Sequence, residues 1–444
     1  MSANFWTNLR AKHPLGIVGL SPMDGVTDLP MRLMTAKYGA PDILWTEFVN
    51  VEGMLKNPAR LERALWTDPP TRVKNNQLVF ARLESKRQDF SLVARRKSGP
   101  TPCKSSSSNP KNTFRLANSS QQKTVDCSFC RLEINGGGAK TRTIAQLYGL
   151  RPDNFAALTT RLINHQIPRT SGIVGIDLNM GCPARQVALN GAGAGLIQNK
   201  PLAKEIYLAT LEAAQGKLPV SIKTRLGFNE LEIEDWLGWL AEELKPAAII
   251  LHGRTYRQGY SGHADWEAIA RAARLIKSLS PNTIVLGNGD VQSRGEAQEK
   301  VVQYGVDGVL IGRAAMGNPF VFADRQEASS VINFMKTTAV PELASSECSS
   351  PEAKSSQNEN NDRRSFYLAL ALEHALLYEQ CFSSLSNYSF LPMRKHLAWY
   401  ARGFAGASAL RAQLMQANSS ADLQLILEVD KKKSNPLEAV LAAD

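Results

Sequence analysis

The stretch GIVGIDLNMGCP, residues 172–183, decides how the chain is read. Its first seven residues form an aliphatic run of the kind that a parallel strand buried on both faces requires. Its last five, Asn179-Met180-Gly181-Cys182-Pro183, switch abruptly to a loop that carries an amide and a thiol. The same succession of short apolar run, polar or Gly-rich turn and amphipathic stretch recurs along the chain. GIVGL (16–20), ILWTE (43–47), TIAQL (143–147), PVSIK (219–223), AAIIL (247–251), TIVLG (283–287) and DGVLI (307–311) complete a set of eight. Between them, Asp153 to Asn164, Pro201 to Gln215, Ile233 to Glu243 and Trp266 to Leu279 are long enough for right-handed crossover helices. Eight βα units predict an α/β fold of the (β/α)8 TIM-barrel type, with an open doubly wound sheet as the competing arrangement.

Composition sets the outer bounds. With 444 residues, 43% hydrophobic and 21% charged, the chain has ordinary globular values, which exclude disorder throughout. No stretch approaches the ~20 continuous apolar residues of a membrane helix, so a soluble protein with no membrane partner is expected. Six irregularly spaced cysteines, with no secretory leader before them, point to a reducing compartment, and cytoplasm is the default expectation. The opening MSANFWTNLRAKHP, with two basic residues and no acid, leaves a short organellar presequence open. The net charge of +11 is mostly local, since 12 Lys or Arg against 4 Asp or Glu fall between Ala81 and Lys140. Basicity alone therefore does not argue for nucleic acid.

Two segments break the rhythm of the barrel, which is expected over 1–324. From Val73 to Lys140 the chain is rich in Ser, Asn, Lys and Gly, with SSSSNPKN and NGGG tracts. Thr71-Arg72 recurs as Thr141-Arg142, so removal of the intervening stretch would join DPPTR to TIAQLYG across an ordinary loop. The segment reads as an insertion, or as intron sequence carried into the reading frame. Cys127 and Cys130 form a lone C-x-x-C with only Cys103 nearby, a spacing better ascribed to chance than to zinc, and no metal is expected. Residues 325–364, rich in Ser, Glu and Asn, read as a flexible connection. Beyond it, FYLALALEHALLYEQ, PMRKHLAWYARGF and ADLQLILEVDKKK predict a small all-α domain over 365–444. Arg394, Lys395, His396, Arg402 and Arg411 interleave there with Trp399, Tyr400 and Phe404, and no acid falls between Leu391 and Arg411. Taken alone, that is a solvated basic face over an aromatic core.

In a barrel of this kind the chemistry sits at the carboxyl ends of the strands. Ser21-Pro22-Met23-Asp24-Gly25 follows the first run, Gln146 belongs to the third, and Lys223-Thr224-Arg225 ends the fifth. His252-Gly253-Arg254-Thr255, Gly287-Asn288-Gly289-Asp290 and Gly312-Arg313-Ala314 follow the last three. The Gly turns after strands seven and eight suit a phosphate held by backbone N–H groups, with Arg313 as ionic partner, and so imply a phosphate-bearing cofactor. Lys223 ends a buried strand, where an ammonium needs an anionic or carbonyl partner. Gln146 offers a paired donor and acceptor to the edge of a heterocycle, and His252 a donor to ring or phosphate unless it is a hydrogen-bonded structural histidine. A flavin fits these roles, with Lys223 stabilising the negative charge of the reduced ring. Cys182, whose free pKa of about 8.5 leaves it protonated at neutral pH, then suits a general acid beside hydride transfer.

At these residues the chain resembles the tRNA-dihydrouridine synthase family. The matching phrases are SPMDGVTD, WTEFV, IAQLYG, IDLNMGCPARQV with NGAGAGL, IKTRLG, LHGRT, GNGD and GRAAMGNP, spread in family order from Ser21 to Pro319. The resemblance implies an FMN-containing TIM barrel that reduces the C5–C6 double bond of particular uridines in the D-loop of tRNA, with NADPH or NADH as reductant. It implies Cys182 as the acid that protonates C5, Asn179 and Arg225 as holders of the uracil, and a helical domain that helps hold tRNA through Arg394, Lys395 and Arg402. FMN would be bound by Pro22, Met23, Asp24, Gln146, Lys223, His252, Asn288, Gly289, Asp290, Gly312 and Arg313. The working unit is expected to be a monomer. The competing activities are a flavin-dependent reductase of a free pyrimidine, which has no use for a basic helical module, and a catalytically silent tRNA-binding protein, which would not need Cys182 and Lys223. The expected insertion lies just before the strand that bears Gln146, where it threatens that strand.

Overall fold

All eight expected runs are strands. β1 (Ile17–Leu20), β2 (Ile43–Asn50), β3 (Thr143–Tyr148), β4 (Ile173–Met180), β5 (Val220–Arg225), β6 (Ala248–His252), β7 (Ile284–Asn288) and β8 (Gly308–Ile311) pair in parallel. They close in sequence order, which excludes the open sheet. The computed structural model describes residues 5–69, 141–324 and 351–434. The expected insertion at 73–140, with Cys103, Cys127 and Cys130, and the first part of the expected connection lie outside the described residues. β3, the strand placed at risk by its position after that insertion, is paired on both sides, to β2 and to β4.

Closure depends on a missing side chain. β8 meets β1 with Ile17 opposite Gly308 and Leu20 opposite Ile311. A Cβ on Gly308 would stand 2.3 Å from the carbonyl oxygen of Ile17 and 2.7 Å from its Cβ. Below the strand ends the barrel is filled by Ile17, Ile43, Trp45, Ile144, Ile250, Leu286 and Leu310. Helix α1 (Phe5–Lys12) caps this floor with Trp6 and Leu9, both nearly inaccessible. The inward-facing polar residues lie at the opposite, carboxyl end, so apolar filling and chemistry are separated along the barrel axis.

The helical layer follows the expected units. α2 (Leu29–Gly39) starts on Asp28, whose side chain accepts from Met31 N at 2.9 Å. α3 (Val51–Lys56) and α4 (Pro58–Leu65) follow β2, and α5 (Pro152–Ile163) follows β3. α6 (Arg185–Leu189) and α7 (Lys200–Ala214) follow β4, while α8 (Trp266–Leu279) and α9 (Arg294–Tyr304) follow β6 and β7. The stretch after β5 winds in the wider π form over Ile233–Gly238 and Leu240–Leu244. There Trp236 Nε1 donates to Thr224 Oγ1 at 2.9 Å, tying the segment to its strand.

After β8 come α10 (Pro351–Phe382), α11 (Leu391–Tyr400), α12 (Ala407–Leu414) and α13 (Ser420–Ser434). The expected linker over 325–364 is corrected here, because residues 351–364 are already helical within α10. Its polar residues gave no apolar stripe to read, yet Glu, Lys and Gln are good helix formers without packing. The four helices share one core with α2, Trp66 and Phe320 of the barrel. Tyr38 Oη and Lys37 Nζ, both on α2, donate to the Glu373 carboxylate at 2.5 Å. No helix among the described residues is long and apolar enough to cross a membrane.

The closing contact gives a direct test. Gly308→Ala is expected to lower unfolding stability by about 1–3 kcal/mol through overpacking at the β1–β8 seam, read as a shifted urea midpoint. An unchanged midpoint would show that the seam has room for a side chain.

Candidate active site

The strand ends open into one cleft. It is lined by Ser21, Pro22 and Met23 from the β1 loop, Gln146, Asn179, Gly181 and Cys182, then Lys223, Arg225 and His252. Asn288, Gly289, Asp290, Gly312 and Arg313 complete it from the last two strands. Of the residues singled out as cofactor- or uracil-binding, only Asp24 is not on this lining. It is exposed on the β1 loop, where partial desolvation by its neighbours raises its pKa against the pull of Lys395 and the Gly25 backbone.

A chain of hydrogen bonds runs beneath the thiol. Asp177 Oδ1 accepts from Ser221 Oγ at 2.7 Å and Oδ2 from Gln146 Nε2 at 2.6 Å. Gln146 Oε1 accepts from Asn179 Nδ2 at 3.1 Å. Asn179 Oδ1 in turn accepts from Gly181 N at 3.1 Å and Cys182 N at 2.9 Å, fixing the loop that bears the thiol. Asn179 is therefore engaged at both ends of its amide, so its first duty is to hold the Cys182 loop. Gln146 N donates to Thr46 Oγ1 at 3.0 Å, where the β2–β3 register shifts between Trp45 and Phe48. Burial raises the pKa of Asp177 to about 6 although Ser221, Gln146 and Lys223 all favour its charged form.

The cations of the mouth are pinned by carbonyls. Arg225, 2% exposed, donates from Nε to Gly181 O at 2.8 Å and from Nη1 to Thr255 O and Gly259 O, both at 3.0 Å. Arg254, 1% exposed, donates from Nη2 to Gly262 O and to Asp290 Oδ2, both at 2.6 Å, and its Nη1 lies 3.4 Å from His252 Nε2. Asp290 Oδ1 accepts from Arg313 Nη2 at 2.6 Å. The Asp290 carboxylate is thus committed to two arginines and to Ala264 N, and it orients cations rather than meeting an anion itself. Burial opposes its charge, but those partners outweigh burial and its pKa falls.

Lys223 Nζ makes no hydrogen bond or ion pair among the described residues. Burial, then the Arg225 charge, lowers its pKa to about 8 against the attraction of Asp177. His252 is pushed well below its ordinary value by burial and by Lys223, Arg225, Arg254 and Arg313, so at neutral pH it is an uncharged imidazole. Cys182, 7% exposed, has its pKa raised chiefly by burial, with Asp24 adding to the rise and Ala184 N, Arg225 and Lys223 opposing it. The site therefore combines a protonated thiol, a neutral histidine and a set of cations.

The helical domain separates the three basic residues assigned to it. Arg394 is spent inside the domain, donating to Ala417 O at 2.8 Å, Gln416 O at 3.3 Å and Asn418 Oδ1 at 2.7 Å. Lys395 reaches back to the β1 loop, where a Cβ on Gly25 would stand 2.8 Å from its Nζ. Arg402 alone of the three is exposed with no side-chain hydrogen bond among the described residues. Sequence reasoning assigned no role to Asp177 and Arg254, and it passed over Tyr260. Tyr260, 61% exposed, has the Arg225 guanidinium 5.9 Å and the Arg313 guanidinium 5.4 Å from its ring centre. An acid inside the aliphatic run GIVGIDL was the one available signal for Asp177.

The family model described as "Dihydrouridine synthase (Dus)" matches residues 120–435. The chain is similar to "Probable tRNA-dihydrouridine synthase 2" of Bacillus subtilis (strain 168), at 28% identity over 435 residues and 98% of each chain. It is equally similar to "Probable tRNA-dihydrouridine synthase" of Staphylococcus aureus (strain Mu50), at 28% over 430 residues and 96% of each chain. Among solved structures, it is similar to morphinone reductase at 12% identity, covering 69% of this chain and 84% of that one with a TM-score of 0.37. With the match of that family model over most of its length, the chain belongs to the dihydrouridine synthase family.

Proposed function

We propose that this chain is a tRNA-dihydrouridine synthase that uses FMN, reduced by NADPH or NADH, to saturate the C5–C6 bond of uridines in the tRNA D-loop. The observation that carries the reading is the meeting, on one cleft lining, of a protonated thiol, a half-buried lysine with no hydrogen bond among the described residues and the Gln146 amide.

The residues present fit an FMN. A Cβ on Gly312 would lie at ordinary contact distance, 3.7 Å, from Met23 Sδ and Ser21 Cβ, so glycine at this position leaves that space beside the β1 loop clear. Beside it stand Arg313 and the Gly289 turn, at φ +139°, to receive a phosphate. Lys223 supplies a cation and Gln146 a donor and an acceptor for the ring, while Asn288, its Nδ2 given to Leu310 O at 2.9 Å, keeps its oxygen for the ligand. Pro22 and Met23 form the wall beyond. When bound and reduced, FMN supplies the hydride delivered to uracil C6.

What the chain's own residues contribute follows from their state. Cys182 holds its proton because burial disfavours the thiolate, and releases it to C5 as negative charge develops there. Arg225 stabilises that charge and the uracil carbonyls. Arg225 has two nitrogens tied to backbone oxygens, which leaves Nη2 for substrate. A uridine buried in folded tRNA has to leave its stack to enter the cleft. The helical domain, fixed to α2 by the Glu373 contacts, gives the rest of the RNA a rigid platform on which Arg402 is available to phosphate and Lys395 sits at the rim.

Four outcomes are expected. In a strain lacking its own dihydrouridine synthases, the unsubstituted chain restores dihydrouridine to tRNA by nucleoside mass spectrometry. Cys182→Ala restores about a hundredth of that or less while retaining flavin and tRNA affinity, and full restoration by it would refute the acid role. The affinity of the flavin-free protein for FMN falls as pH rises through about 8, where Lys223 loses its proton in the ligand-free state. The fall is limited to about tenfold per pH unit and is absent in Lys223→Gln; a pH-independent affinity in the unsubstituted protein would count against Lys223. Iodoacetamide labels Cys182 at a rate that still climbs with pH above the ordinary thiol value of about 8.5, whereas a plateau below pH 8 would show an activated thiolate instead.

A further inference from the structure

One carboxylate in the barrel takes no part in the chemistry above. Asp177 is fully buried on β4, level with Gln146 on β3 and Ser221 on β5. It is not itself part of the cleft lining and does not touch the thiol, yet it heads the hydrogen-bond chain that ends at the backbone of Cys182.

The chain has two ends of opposite character. An ionised carboxylate only accepts hydrogen bonds, and backbone N–H groups only donate them. Asp177 Oδ2 is the accepting end, 2.6 Å from Gln146 Nε2, and Gly181 N and Cys182 N are the donating end, at 3.1 and 2.9 Å from Asn179 Oδ1. The amides of Gln146 and Asn179 stand between, joined at 3.1 Å, and each has one accepting and one donating atom. Reversing Gln146 alone sets its oxygen against the carboxylate and its nitrogen against Asn179 Nδ2. Reversing Asn179 alone sets its nitrogen against two N–H groups and its oxygen against Gln146 Oε1. Reversing both places like against like at each end of the chain. Only the observed orientation satisfies every link.

We propose that Asp177 is the positioning residue of this site, fixing which way the Gln146 amide faces and, through Asn179, holding the loop that carries Cys182. This rests on the roles given above to Gln146 and Cys182. Asp177 itself acts only through them, and what it supplies is an acceptor; its negative charge is incidental to the role.

The test uses the flavin-free full chain with two readouts, the rate at which iodoacetamide labels Cys182 and the dissociation constant of FMN. Asp177→Leu removes the acceptor with little change of shape, and is expected to speed labelling and weaken FMN, each about tenfold. Asp177→Asn restores both, because its oxygen still accepts from Gln146 while its nitrogen donates to Ser221 Oγ, whose own hydrogen can pass to Ile176 O, 3.2 Å away. The double substitution Asp177→Leu with Gln146→Leu is expected to be no worse than Gln146→Leu alone, since both cut one chain. Additive losses, or an Asp177→Asn protein as impaired as Asp177→Leu, would overturn the proposal. Should Asp177→Leu not fold, Gln146→Leu cuts the same chain one link later, and unchanged labelling in it would overturn the proposal equally. If the flavin reading itself is wrong, FMN fails to bind the unsubstituted protein while the labelling differences remain.

Discussion

The pairing of β8 with β1, along Ile17 opposite Gly308 to Leu20 opposite Ile311, removes the last two edges of the sheet and turns eight strand ends toward one mouth. Every feature of the site depends on that closure. Gln146, Asn179, Lys223, Arg225, His252 and Asn288 stand on five consecutive strands, β3 to β7, and only a barrel brings the two outer ones around to face β8 and the β1 loop. The seam admits it because Gly308 has no side chain to hold Ile17 away. Apolar filling of the floor, capped by Trp6 and Leu9, leaves the polar residues nowhere to be but the carboxyl end.

The mouth is electrostatically unusual in how its cations are held. Arg225 and Arg254 are nearly inaccessible, yet most of their donors go to backbone carbonyls rather than to carboxylates. The Arg225 charge is therefore positioned without being cancelled, and one carboxylate, Asp290, is shared between Arg254 and Arg313, so the field in the cleft stays positive. The consequence is visible in the neighbouring groups: His252 is driven neutral and Lys223 is driven toward neutrality, in both cases first by burial and then by the neighbouring cations. Burial outweighs the same field at Cys182, whose proton is retained. A cleft of this sign suits a phosphate-bearing ligand and a substrate on which negative charge accumulates during reaction.

Much of this was legible in the sequence because it is local. Each strand announced itself as an aliphatic run, and each candidate residue followed one at the place where a barrel exposes its loops. What was not legible depends on contacts between distant segments. Arg394 looked like a free cation until the carbonyls of Gln416 and Ala417 were seen to face it. Asp290 sat among phosphate-binding candidates, but Arg254 and Arg313 converge on its carboxylate. The start of α10 carries no apolar stripe, so a polar helix and a linker read alike. Asp177 stood out only as an acid in a buried run, and its purpose lies in two amides on neighbouring strands.

In the proposed reaction electrons pass from a flavin in this cleft to a uridine held in tRNA, and an anaerobic single turnover tests that most directly. The protein is loaded with FMN, reduced with one equivalent of NADPH, and mixed with unmodified tRNA transcript or with free uridine while the flavin absorbance is followed. Prompt return of the oxidised flavin spectrum with the transcript, and none with free uridine, is the predicted result. A flavin that stays reduced in the presence of tRNA but is oxidised by the free pyrimidine would contradict it.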